Sequence, residues 1–105
     1  MREVDQVIKE FRAALERLYG QRLIKVILYG SWARNEATED SDVDLLVVLE
    51  GDVEPGKEID KMIDIITDIN LEHNVLLSVC PVSDRDYESL KSPLLMNVRR
   101  EGVPV

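Results

Sequence analysis

Cysteine, tryptophan, phenylalanine and histidine each occur once in the 105 residues, and aromatic content is only 5%. With Cys80 alone, neither an internal disulfide nor a multi-cysteine metal site can form. Cys80 lies in an apolar run and is expected to be a small core residue. A structural or surface role is the expectation for the lone His73. No apolar run approaches the roughly 18 residues of a membrane span, and no signal peptide is visible. The expected location is therefore the cytoplasm, with no membrane partner. Basic charge is scarce too: 13 Lys and Arg stand against 21 Asp and Glu, a net charge of −8. Counterion release on long nucleic acid needs clustered cations along a phosphate track. Arg99-Arg100 and Arg22 with Lys25 are local patches, suited to one nucleotide, an acidic partner or plain solvation. No autonomous grip on long nucleic acid is expected.

What remains is an ordinary globular composition, 45% apolar and 32% charged, long enough for one core and one domain over residues 1–105. Val4, Val7, Ile8, Phe11, Leu15 and Leu18 recur at helical spacing, and Gly20 stops that segment. Leu23 to Tyr29 reads as a strand ended by Gly30. Val43 to Leu49 reads as a second strand, apolar enough to be buried on most of both faces. Lys57 to His73 is a second amphipathic helix, with Ile59, Met62, Ile63, Ile66 and Ile69 on one face. Asn74 to Val82 is a third strand, and Pro81 near its end implies an edge or terminal position. Asp84 is placed as the cap of a short helix, and Ser92-Pro93 as the start of a last one running to about Glu101. The fold class is a small α/β (α+β) domain: a mixed sheet with helices packed on one face and the other face free.

Chemistry concentrates between the first two strands. Tyr29-Gly30-Ser31-Trp32-Ala33-Arg34 closes one strand, and Ser41-Asp42-Val43-Asp44-Leu45 opens the next. Residues i and i+2 of a strand share a side, so Asp42 and Asp44 project together. Like charges so placed repel, and solvent or a divalent cation between them relieves the repulsion. The Gly-Ser turn adds a close backbone approach and a hydroxyl. Taken separately, these features read as a strand-ending turn and a solvated or capping acidic pair. Taken jointly, they suggest a site for a metal-bound triphosphate.

Gly30-Ser31-x-Ala33-Arg34, six intervening residues and Ser41-Asp42-x-Asp44-Leu45 closely resemble the signature of the DNA polymerase β-like nucleotidyltransferase superfamily. The short chain and the Gly-Ser-x-Ala-Arg form resemble its minimal nucleotidyltransferase branch, of antitoxin type. The resemblance implies that Gly30 and Ser31 hold the triphosphate of an NTP, ATP being the expected one. It implies that Asp42 and Asp44 are catalytic and bind a divalent metal, magnesium or manganese. The implied reaction transfers a nucleoside monophosphate to an acceptor, with pyrophosphate leaving. Ser41 and Arg34 fall inside the motif and are assigned to nucleotide binding. Arg34 either neutralises phosphate or ties the loop to Glu36, Glu39 and Asp40. Proteins resembling this branch are often antitoxin partners of small helical nucleases called HEPN, and some adenylylate that toxin.

Two departures from the family pattern stand out. The residue after Arg34, commonly glycine, is Asn35, which tolerates a left-handed backbone. The third carboxylate that active members place on a later strand is missing from Asn74 to Val82, where Ser78 is the polar residue nearest the middle. Serine is neutral at pH 7 and a weak ligand and base. Glu72, Asp84 and Asp86 flank that strand only at its ends. Two functions therefore remain: an enzyme moving AMP or another NMP to a protein or small-molecule acceptor, or a catalytically weakened module that neutralises a partner by contact. Exposed apolar residues in the last segment (Leu94, Leu95, Met96, Val103) suit an interface, although core packing is the default. Length disfavours an aminoglycoside-type transferase, and length with charge disfavours a DNA polymerase.

Overall fold

The computed structural model describes residues 3–105. Helix α1 (Glu3–Tyr19) leads through a single 3₁₀ turn into strand β1 (Leu23–Tyr29). Strand β2 (Val43–Leu49), helix α2 (Pro55–His73) and strand β3 (Leu77–Ser83) follow, then α3 (Asp84–Ser89), α4 (Pro93–Glu101) and β4 (Val103–Pro104). The strands form one mixed sheet in the order β3-β2-β1-β4. β2 runs parallel to β3 and antiparallel to β1, and β4 is antiparallel to β1. Pro81 therefore sits on an edge strand, where a missing backbone donor is tolerated.

Register sorts the side chains into two layers. Val43, Leu45, Val47 and Leu49 of β2 join Val26 and Leu28 of β1 on one face. That face is covered by Val7, Phe11 and Leu15 of α1 and by Met62, Ile66 and Ile69 of α2. Leu46 and Val48, alternating to the other side, pack with Ile27 of β1 and with Leu95 and Val98 of α4. The two long helices thus lie on one face, as the sequence suggests, but the opposite face is not left free. α4 covers its middle, because Leu95 and Val98, three residues apart, fall on one helical side. Leu95 is core, whereas Leu94, Met96 and Val103 are exposed. Cys80 is half-buried at the margin of this second layer.

Several boundaries differ from the sequence expectation for local reasons. β3 begins at Leu77 rather than Asn74, because Asn74 adopts a left-handed φ of 52° that ends α2. The Asn70 side chain then accepts from the Leu77 amide at 2.9 Å. Ser83, not Asp84, caps α3, its hydroxyl accepting from the Asp86 amide at 3.1 Å. Ser92 caps α4 in the same way, with Pro93 in the first turn. Strand β4 is too short to show in any periodicity. Leu18 and Ile63 are exposed, at 41% and 47%.

The buried stripe of α2 instead runs Glu58, Met62, Ile66, Ile69. Glu58 is only 4% exposed. The Arg22 guanidinium donates to both its carboxylate oxygens, at 3.0 and 3.3 Å, and the Tyr19 hydroxyl donates at 2.9 Å. Burial alone would raise the Glu58 carboxyl; the bonds from Arg22 and Tyr19, with the charges of Arg22 and Lys61, hold it below its ordinary value. Arg22 also donates to the Glu50 and Asp52 carbonyls, so one guanidinium ties α1, the β2–α2 connection and α2 together. It is a structural cation, and so is Arg99, which donates to the Tyr87 and Leu90 carbonyls.

His73 closes the far end of the helix pair. Its Nε2 is hydrogen-bonded to the Glu10 carboxylate of α1, with Glu3 and Glu72 nearby. The Glu10 hydrogen bond raises the His73 pKa above 6.5; burial opposes this, and the charges of Glu10, Glu72 and Glu3 add to it. A raised histidine pKa stabilises the fold fully below the unfolded value, and that contribution is lost as pH rises through the folded value. Thermal unfolding followed from pH 6 to pH 9 should show this loss in the natural chain. His73→Gln should show a flatter profile over the same interval; parallel profiles would remove the pair from the account.

Candidate functional site

Asp44 is the register partner of Tyr29 on β1 and of Ser78 on β3. The three side chains therefore form one row across the sheet, on the face that α4 covers further along. Beyond Tyr29 the chain turns at Gly30, whose φ is +75°. A Cβ added there would fall inside contact distance of an Asp44 carboxylate oxygen and 3.2 Å from its Cγ. Two requirements converge on glycine, a left-handed backbone and an approach of bare backbone to a carboxylate. The turn closes through Arg34 N to Gly30 O at 3.2 Å and Glu36 N to Ser31 O at 2.9 Å. Asn35 carries it with φ 59°, the left-handed geometry expected from asparagine at that position.

The 36–42 loop is held against this turn. The Trp32 indole donates to the Ser41 carbonyl at 3.2 Å, and the Ser41 hydroxyl accepts from the Thr38 amide at 2.9 Å. Ser41 thus directs its hydroxyl into the loop's own turn. Arg34 reaches Glu36 at 3.0 Å and Glu101 of α4 at 3.4 Å. Of the two roles open to Arg34, tying the loop to acidic residues is realised, through Glu36 and Glu101 rather than Glu39 or Asp40. Its charge also acts on Asp44.

Burial raises the Asp44 carboxyl above its ordinary value, and the negative charge of Asp42 raises it further. Arg34 and a hydrogen bond with Ser78 pull it back only partly. A carboxylate burdened by burial and by a second carboxylate, beside a bare backbone turn, belongs to a donor set suited to one divalent oxygen-loving cation. Asp42, Asp44, Gly30, Arg34 and Ser78 are thus gathered in one place. Glu72 is not among them, since it lies with Glu10 and His73. The side chain facing Asp44 from β3 is the Ser78 hydroxyl, which is exposed.

Sequence reading passed over Tyr29, although it immediately precedes Gly30. It is half-buried beside Asp44, and burial first, then the nearby Cys80 and Asp44, push its hydroxyl up to about 12. Also missed was a cleft of about 860 Å³ on the other side of Asp42. Its walls come from the start of α1, from Trp32 and the 39–43 stretch, and from residues 73–76.

The model of the nucleotidyltransferase domain family matches residues 8–91, most of the chain. This chain belongs to that polymerase β-like nucleotidyltransferase family. It is 36% identical over 99 residues to a Methanocaldococcus jannaschii protein named as a candidate protein adenylyltransferase, covering 93% of each chain. A second so-named protein of that organism is 32% identical over 103 residues, covering 98% of this chain and 99% of the relative. Relatives of nearly the same length are consistent with the minimal branch of the family. Among solved structures, a toxin-antitoxin crystal structure with AMP-PNP superposes with a TM-score of 0.63 at 15% identity, over 90% of this chain and 68% of that one. A candidate nucleotidyltransferase from Sulfolobus solfataricus gives 0.60 at 17% identity, over 96% and 83%. At such identities the structural likeness concerns the fold of this nucleotidyltransferase-domain protein. Among the described residues, no helix is long and apolar enough to cross a membrane.

The strain at the Gly30 turn and at Asp44 should be separable by mutation. Gly30→Ala meets both the positive φ and the Asp44 oxygen, and should cost about 1–3 kcal/mol in urea unfolding. Asp44→Asn removes a carboxylate whose folded pKa is raised, so it should increase the midpoint of thermal unfolding at pH 7. That gain should shrink as pH falls toward 3.8, where the unfolded carboxylate also protonates. An Asp44→Asn chain less stable than the natural one at pH 7 would contradict the like-charge burden.

Proposed function

We propose that this protein binds an NTP, ATP by preference, with magnesium or manganese and transfers AMP to a hydroxyl-bearing acceptor. The observation that carries this reading is the Asp42–Asp44 pair set against the bare Gly30 turn. The naming of its relatives as protein adenylyltransferases supports the choice of AMP and of a protein acceptor. In this reading Gly30 and Ser31 cradle the phosphates and Arg34 lends them positive charge. Ser41 shapes the adjoining loop, and Asp42 and Asp44 hold the cation. The bound cation would neutralise triphosphate charge and polarise the reacting phosphoryl group. The acceptor oxygen bonds to the α-phosphorus, the α–β phosphoanhydride bond breaks, pyrophosphate leaves, and the hydroxyl proton passes to solvent. ATP supply places this work in the cytoplasm. A toxin is the partner class suggested by the toxin-antitoxin neighbour, and the HEPN type follows from the sequence resemblance.

A second reading rests on Ser78. With a hydroxyl in place of a carboxylate beside Asp44, the site has one anion fewer for a second metal and no strong base at that position. A protein so arranged neutralises its partner chiefly by contact. Label transfer from α-labelled ATP, with candidate acceptor proteins present, decides between the two. The enzyme reading expects magnesium-dependent label that disappears in Asp42→Asn, and a rise of about tenfold or more in Ser78→Asp. No label from either the natural chain or Ser78→Asp, with ATP binding intact, favours the contact reading.

A further inference from the structure

Arg34 is the cation whose charge reaches Asp44. That charge is already answered by two carboxylates: Nε donates to Glu36 at 3.0 Å and Nη1 to Glu101 at 3.4 Å. One guanidinium between two carboxylates is a net negative group, so a phosphate approaching it is repelled rather than drawn in. For Arg34 to serve a phosphate, one carboxylate has to leave. Glu36 stands two residues along the same turn and makes the closer contact. Glu101, at the end of α4, makes the longer one, and its other carboxylate oxygen lies 3.8 Å from Arg100. Arg100 is itself braced, donating to the Asn97 side chain at 2.7 Å. The backbone beneath is fixed. The Gly102 amide donates to the Val98 carbonyl at 2.7 Å, and a Cβ at Gly102 would lie 2.5 Å from the Ile27 side chain. The Glu101 side chain is thus the part free to turn from one arginine toward the other.

We propose that Glu101 is a displaceable counter-ion of Arg34. It gives the guanidinium up to the polyphosphate of an incoming nucleotide, turns toward Arg100, and takes Arg34 back as pyrophosphate leaves. The proposal rests on the nucleotide-binding reading above and adds the residue that sets how tightly the polyphosphate is held. Partly exposed ion pairs are weak, so giving up the Glu101 contact costs little. A polyphosphate carries several charges and makes charge-assisted bonds to the guanidinium fork, so it wins the competition. When pyrophosphate departs, the returning carboxylate replaces the bond that the product gives up. Glu101 therefore weakens binding of substrate and product alike and quickens product release.

A double-mutant cycle on the full chain tests it, with magnesium–ATP and magnesium–pyrophosphate as probes in calorimetry. Glu101→Gln should bind both about two- to fivefold more tightly, the scale of an exposed ion pair. Arg34→Gln should bind both more weakly, and adding Glu101→Gln to it should change affinity by less than about 1.5-fold. Stopped-flow measurement should place the Glu101→Gln gain in slower dissociation of pyrophosphate. Diffuse repulsion between Glu101 and phosphate predicts otherwise: an equal gain with and without Arg34, carried by faster association. That result would overturn the exchange. So would lower affinity in Glu101→Gln, which would make Glu101 a brace for α4 and nothing more. Urea unfolding of each chain separates lost binding from lost fold. Absence of polyphosphate binding in the natural chain and in a folded Glu101→Gln chain would sink the nucleotide reading itself, and the counter-ion role with it.

Discussion

A strand buried on both faces can carry charge only at its ends, and β2 is such a strand. Val43 and Leu45 through Leu49 are all buried, and only Asp44 breaks the run. Unpaired carboxylates in the middle of that strand would face a desolvation cost of several kcal/mol each. At its start, however, the sheet opens, and Asp42 and Asp44 can share solvent or a cation. The rest of the architecture follows from keeping β2 in the centre. Its odd positions face α1 and α2, its even positions face α4, and the same alternation that builds the two layers places the acids together. The site is the exposed end of the second layer.

Charge elsewhere is handled by pairing. Arg22 binds the buried Glu58 and the Glu50 and Asp52 carbonyls at one end of the helix pair, and His73 joins Glu10 at the other. Asp44 differs: its nearest influences are another carboxylate, a single distant-working arginine and one serine hydroxyl. Such incomplete compensation marks it out, since perturbed carboxylates cluster where chemistry occurs. The fold tolerates this local burden because its core is otherwise well supplied, with no buried side-chain polar atom left unpaired among the described residues.

Much of this was legible in the chain itself. The bounds of β1 and β2 follow from apolar runs, broken only by Lys25 and Asp44, between glycines and a polar loop, and those of α4 from Ser92-Pro93 and Gly102. The left-handed Asn35 was expected because it stands where the resembled family commonly has glycine, whereas the left-handed Asn74 was expected in a strand. What periodicity could not show were features made by contacts distant in sequence. Glu58 is held inside by Arg22 and Tyr19, and it lies on the buried stripe of α2 while Ile63 is exposed. The edge pairing of β4 involves two residues and a proline. Ser78 opposite Asp44 was a guess from position along β3, and only the parallel register could decide it. The acidic cleft depends on how the start of α1 meets residues 73–76, which no local pattern encodes.

The central claim is that the Gly30 turn and the Asp42–Asp44 pair form a living nucleotide pocket. Calorimetric titration of ATP with and without magnesium, for the natural chain and for Asp42→Asn/Asp44→Asn, tests it most directly. Saturable binding that requires both the metal and the aspartates is the predicted result. No heat of binding up to millimolar ATP, or binding that is indifferent to the two aspartates, would contradict it.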